Sequence, residues 1–142
     1  MQSITLTIPG SIRSKKNSKR VFGCGKFKKV LPSKAYLAWE DSARVEAMIQ
    51  TTGLRGLRIR KGGILIPEGI QCCVKALCFC KGVLPDLSGA LESVGDAFRG
   101  ILWKDDKQIV SWDGSRVYRD TKNPCTKISI LWNTCHDEEK KL

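Results

Sequence analysis

A chain of 142 residues is long enough for one core-forming domain, and a hydrophobic fraction of 42% excludes a disordered protein. No apolar run approaches the ~20 residues of a membrane-spanning helix. Twenty-five Lys and Arg against 14 Asp and Glu leave a net charge of +11, which points to a polyanionic partner.

Residues 2–8, QSITLTI, alternate apolar Ile4, Leu6 and Ile8 with polar neighbours, which is strand period; Pro9 and Gly10 end it. The opening MQSITLTIPG has no basic segment followed by an apolar one, so no secretory signal is expected and a cytoplasmic location follows. Residues 11–32 read as a long basic loop, with the glycines flanking Cys24 marking a turn. Ser33 is a good N-cap for a helix to about Gln50, stopped by Thr51, Thr52 and Gly53. Tyr36, Trp39, Ala43 and Ala47 are spaced to line its buried side. Gly53 to Gly69 reads as a linker with at most one short strand.

Residues 70–80, IQCCVKALCFC, suit a central strand, and Lys81, Gly82 and Pro85 break it. A helix is expected from Leu87 to about Leu102, with Leu87, Leu91, Val94, Phe98 and Ile101 as its apolar stripe. Ser88, Glu92, Asp96 and Arg99 form its polar stripe, each about one turn from the next. Residues 107–119 and 126–132 read as two further strands, and residues 133–142 as a flexible tail. The expected order is β-α-β-α-β-β in a single domain over 1–132: an α+β fold, a mixed β-sheet with two helices packed on one face.

The seven cysteines are odd in number and include no CxxC pair. Cys72, Cys73, Cys78 and Cys80 are expected as small buried hydrophobes, and Cys125, Cys135 and His136 match no zinc-site spacing.

Charge is unevenly distributed. Residues 1–39 hold nine Lys or Arg and no acid, while residues 86–120 carry seven of the fourteen acids. Cleavage of phosphodiesters with divalent metals needs hard oxygen ligands, usually a few carboxylates. The single histidine lies in the tail, so histidine general catalysis and a Cys–His nucleophile are both disfavoured. Carboxylate–metal chemistry is what remains. Each acid also has an ordinary reading: Asp86 as a helix cap, Glu92 and Asp96 as a solvated face, Asp105 and Asp106 as a turn.

The pattern from Pro85 to Val110, PDLSxxxExxxDAxxGxLWKDDKQIV, resembles the RusA-type Holliday-junction endodeoxyribonucleases. In that family a run of the form PDLDNLxKxxxDALNG is followed by an Asp pair and QV or QI. The basic SKKNSKR and the later PSKAYLAWE are similar to the family's arm and first helix, so the resemblance covers about residues 3–130. It implies a Mg²⁺-dependent enzyme, with Mn²⁺ as the alternative ion, that nicks branched DNA in recombination and repair as a homodimer. It implies no membrane and no small-molecule substrate, and a phage or prophage origin is in keeping with it.

Residue by residue, the resemblance implies metal binding by Asp86 and Asp106, with Asp105 beside the latter, and matches Asp96 to the mid-helix aspartate. Two positions depart: Ser88 stands where a second metal aspartate is usual, with Gly89 replacing Asn, and Glu92 stands where a lysine is often found. Glu92 lies one turn after Ser88, so its carboxylate is expected to replace the missing one as a metal and catalytic group. The lost positive charge is then expected from Lys15, Lys16 or Lys19. The alternative is a branched-DNA-binding protein whose catalysis is weakened at Ser88; a basic nucleic-acid-binding module without structure selectivity is the third reading.

A helix of about 16 residues is roughly 24 Å long. Asp86 and Asp106 at its two ends cannot then meet on one metal unless the chain folds back sharply or two subunits share a site, and the shared site is the expectation. Ser14, Lys15, Lys16, Asn17, Lys19 and Arg20 are the expected contacts to DNA phosphates, and Phe22 and Phe27 are candidates for stacking or simple packing.

Overall fold

The computed structural model describes residues 1–15, 19–23, 25, 29–58 and 63–133, with the backbone alone at 19–22, 29–30 and 53–58. Strand β1 (Gln2–Pro9) follows its sequence alternation, burying Leu6 and Ile8 and exposing Ser3, Thr5 and Thr7. Strand β4 (Cys72–Cys80) and strand β7 (Cys125–Trp132) do the same. β7 lies between β1 and β4, antiparallel to both, so Leu6, Ile128 and Ala76 fall in one row and Ile4, Ile130 and Val74 in the next. The far edge of β4 is completed in parallel by two short strands, β5 (Ile109–Ser111) beside its start and β6 (Arg116–Arg119) beside its end.

Helix α1 (Lys34–Arg58) starts where Ser33 Oγ accepts the Tyr36 N–H at 3.1 Å, as an N-cap should. It buries Tyr36, Trp39, Ala43 and Ala47 as its spacing implies. Helix α2 (Leu87–Ala97) packs beside it, and both share one core with the inward rows of the sheet. The fold is therefore α+β, with a five-stranded mixed sheet and two helices on one face. Gln50 of α1 fastens the open edge of β1: its Oε1 accepts the Thr7 N–H at 3.1 Å, and its Nε2 donates to the Thr7 carbonyl at 2.7 Å.

Several expectations need correction. The basic loop contains a hairpin, β2 (Lys19–Phe22) with β3 (Lys29–Pro32), so the order is β-β-β-α-β-α-β-β-β. α1 runs past Thr51 and Thr52 because their hydroxyls donate to the carbonyls of Ala47 and Met48, 2.7 and 2.6 Å away, and so remain satisfied inside a helix. Its extra turns occupy the first part of the expected linker. Residues 107–119 are not one strand: Gly114, at φ +84°, turns the chain between β5 and β6. Cys73 is exposed on the outward side of β4, while Cys72, Cys78, Cys80 and Cys125 are buried. Burial pushes the thiol of Cys72 up to about 11 and that of Cys78 up to about 12, so both stay neutral in ordinary buffers. The tail from residue 134, with Cys135 and His136, lies outside the described residues.

Candidate functional site

α2 is shorter than its apolar pattern suggests. It ends at Ala97, and Gly100, at φ +86°, reverses the chain. Arg44 of α1 holds this end: its Nη1 donates to the carbonyls of Ala97 and Arg99 at 2.7 and 2.9 Å. A cation over orphan carbonyls also complements the helix dipole. Trp103 then folds back under the helix, fully buried, and its indole N–H donates to Gly95 O at 2.9 Å. Phe98 packs edge-on between the rings of Trp39 and Trp103. The apolar stripe shifts accordingly: Val94, Phe98 and Ile101 are buried, while Leu87 remains 43% exposed.

The returning chain ends in a tight turn at Asp105 to Gln108. Asp105 Oδ1 accepts the Lys107 N–H at 3.0 Å. Gln108, buried below, accepts the N–H groups of Lys104 and Asp105 through Oε1 and donates through Nε2 to the carbonyls of Pro67 and Ile70. The turn is thereby bolted to the segment before β4. It lays Asp106 against Gly95, where a Cβ on the glycine would lie only 3.3 Å from that of Asp106.

This fold-back brings Asp96 and Asp106 together. Both reach the same nitrogen, Arg99 Nη2, at 3.5 and 3.1 Å. On the other side of Asp96, Lys15 Nζ lies 3.5 Å from Oδ2, with the Tyr36 ring beneath it at 5.9 Å. Lys15 is delivered by Ser93: this buried hydroxyl donates to Arg13 O at 2.7 Å and accepts the Lys15 N–H at 3.1 Å. The start of the basic arm is thus pinned along α2. Ser14 is buried there, close to Asp86 over Gly89.

Electrostatics separate the acids. Asp105 is held below the usual carboxylate range, first by the Lys107 N–H and then by a hydrogen bond shared with Asp106. Asp106 is raised, first by that shared bond and then by partial burial, with Arg99 opposing. The pair shares one proton more readily than two separate aspartates do. Among the described residues the fully buried Tyr36 hydroxyl meets no partner within hydrogen-bond geometry. Burial raises its pKa above the ordinary phenol value, and the nearby carboxylates of Glu40, Asp96 and Glu92 add to the rise.

The two ends of α2 remain apart. Asp86 occupies the N-cap position but makes no side-chain cap bond; Ser88 Oγ donates to its Oδ2 at 3.3 Å. Gly95 lies nine positions further along the helix, roughly 13 Å along the axis. Of the two routes by which Asp86 and Asp106 might meet, the chain does fold back, yet it unites Asp106 with Asp96 and leaves Asp86 at the opposite end. Glu92 is exposed one turn before Asp96, and Ser88 turns to Asp86. Among the described residues no three His, Cys, Asp or Glu side chains form a ready metal-binding group.

The point between Asp96 and Asp106 already holds a cation, the Arg99 guanidinium, at 3.1–3.5 Å. Carboxylate oxygens are the hard donors that a divalent ion such as Mg²⁺ takes, at about 2.0–2.1 Å.

Lys16 and Asn17 lie outside the described residues, as do the side chains of Lys19, Arg20 and Phe22 and the whole of Phe27. Sequence reasoning missed Ser93, Arg44 and Tyr36 as builders of the site. Ser93 carried a faint signal as a hydroxyl inside an apolar helix face; the other two looked like ordinary helix residues. No protein-family model matches the chain, and no curated protein matches it.

Proposed function

We propose that the chain is a Mg²⁺-dependent, structure-selective endodeoxyribonuclease that nicks four-way DNA junctions as a homodimer, within recombination and repair inside the cell. The observation that carries this reading is the convergence of Asp96 and Asp106 on one cationic position, flanked by Lys15 of a basic arm. A +11 chain attracts phosphates generally, and its acids collect where a cut requires them. The resemblance of Pro85 to Val110 to the RusA-type enzymes supports the same reading, as does the absence, among the described residues, of a helix long and apolar enough to cross a membrane.

In this reading Asp96, Asp105 and Asp106 hold the ion, which when bound supplies an activated water and a counter-charge for the departing oxygen. Arg99 leaves Asp96 and Asp106 for a substrate phosphate, and Lys15 neutralises a second phosphate. Glu92 stands on the approach to this end of the helix and adds an oxygen donor in place of the acid absent at Ser88. Asp86 is supplied to the site by the partner subunit, in keeping with the two-fold symmetry of a four-way junction. The test is a synthetic four-way junction incubated with and without Mg²⁺ and resolved on a denaturing gel. Paired nicks that require the ion and vanish in Asp106→Asn are expected; an intact junction at saturating protein overturns the reading.

A second reading has its own observation. Asp96 and Asp106 are already neutralised by Lys15 and Arg99, and Ser88 bonds to Asp86 where the resembling family has an acid. A branch-binding protein without cleavage fits that arrangement. It predicts a shifted junction on a native gel and no nicks on the denaturing one.

A further inference from the structure

The sheet face opposite the helices carries a second constellation, made of residues other than the acids of α2. Register sets Phe79 of β4 beside Tyr118 of β6, and Leu77 beside both Arg116 and Lys127. The two rings stack, with centroids 5.0 Å apart and planes within 14°. Lys127 Nζ caps the Phe79 ring at 5.6 Å, and Tyr118 stays 38% exposed. Lys75, Arg116 and Lys127 are all exposed, and none is ion-paired with a described residue. The stem of Lys75 lies over Gly114, where an added Cβ would meet its Cδ at 2.9 Å, so that ammonium is carried on a packed stem.

From this arrangement we infer that the helix-free face of the sheet binds single-stranded nucleic acid. An exposed aromatic stack flanked by cations offers what an unpaired strand requires: a ring for a base and ammonium or guanidinium groups for the phosphates on either side. Duplex DNA keeps its bases stacked on one another and has none to offer Tyr118. A second copy of this chain is disfavoured as the occupant, because face-to-face pairing would set Lys75, Arg116 and Lys127 against their own like charges. The inference is independent of the cleavage reading: it uses no residue of the acidic end and stands whether or not junctions are cut.

The test is fluorescence anisotropy of a labelled 20-nucleotide oligo-dT with the full chain. Tyr118→Ala is expected to weaken binding about tenfold, and Tyr118→Phe, which keeps the ring, to leave it near the starting value. The pair Arg116→Glu and Lys127→Glu is expected to weaken binding further and to flatten its salt dependence. Should Tyr118→Ala unfold, judged by thermal melting, the charge pair alone decides. Unchanged oligo-dT affinity in the folded variants overturns the inference. So does a loss of dimer mass on sedimentation caused by these substitutions without loss of oligo-dT binding, which would assign the face to a second copy.

Discussion

The two ends of α2 carry acids of the same type in opposite settings. At the C-terminal end Asp96 and Asp106 share a guanidinium, Asp105 caps a turn, and Trp103, Gln108 and Arg44 fix the backbone around them. At the N-terminal end Asp86 has Ser88 and Ser14 for neighbours, beside an exposed Leu87. The difference teaches that spacing along a helix identifies which acids are candidates, whereas the return of the chain decides which of them meet.

The largest effect that sharpens this comparison is expected from Trp103→Ala. It removes a fully buried indole together with its bond to Gly95, at a cost of about 3–5 kcal/mol in urea unfolding. Leu87→Ala at the other end should cost less than about 1 kcal/mol, since that side chain is 43% exposed; equal losses at both ends would break the contrast. Next come the glycines. Gly89→Ala places a methyl 2.5 Å from Ser14 Oγ and 2.6 Å from Asp86 Oδ1, and is expected to destabilise by about 1–3 kcal/mol. Gly95→Ala meets nothing nearer than 3.3 Å, and the gain in helix propensity of up to about 1 kcal/mol offsets that crowding. A larger loss at Gly95 than at Gly89 reverses the expectation.

A titration probes the C-terminal end more gently. Asp106 is raised by its bond with Asp105, so its contribution to stability is complete below the ordinary carboxyl range and is lost as pH rises through the raised value. Asp105 has the opposite sign: its contribution is present above that range and is lost as pH falls through its depressed value. Asp105→Asn removes the anionic acceptor that stabilises the protonated form of Asp106, and Asp106 should titrate lower when followed by carboxyl NMR. An unmoved Asp106 would show that burial alone sets its value. The smallest effect is expected from Asp86→Asn, within about 1 kcal/mol in urea unfolding, since the side chain makes no cap bond and asparagine keeps an oxygen that can accept from Ser88.

Much of the fold was legible in the sequence. Period-two alternation located β1, the apolar run at 70–80 located β4, the strand reading of 126–132 located β7, and Ser33 located the start of α1. The hairpin β2–β3 was not legible because KRVF and KVLP are short, lysine-rich and surrounded by turn residues. Thr51 and Thr52 looked like a stop because hydroxyls usually compete with helix bonds; here they bond backward and the helix continues. In the candidate site the sequence supplied the carboxylates and the arm. It did not supply their pairing, because Asp96 meets Lys15 only through the Ser93 clamp and meets Asp106 only through a reversal at Gly100.

The amide of Gln50 has a consequence for how this protein behaves among its own copies. By accepting from the N–H and donating to the C=O of Thr7, it imitates one residue of a neighbouring strand. An exposed edge of eight residues is otherwise a template on which sheets from separate molecules can grow. A foreign strand arriving at Thr7 must first displace a side chain that already fills both bonding positions, so the molecule carries a stopper against runaway sheet polymerisation on its open side.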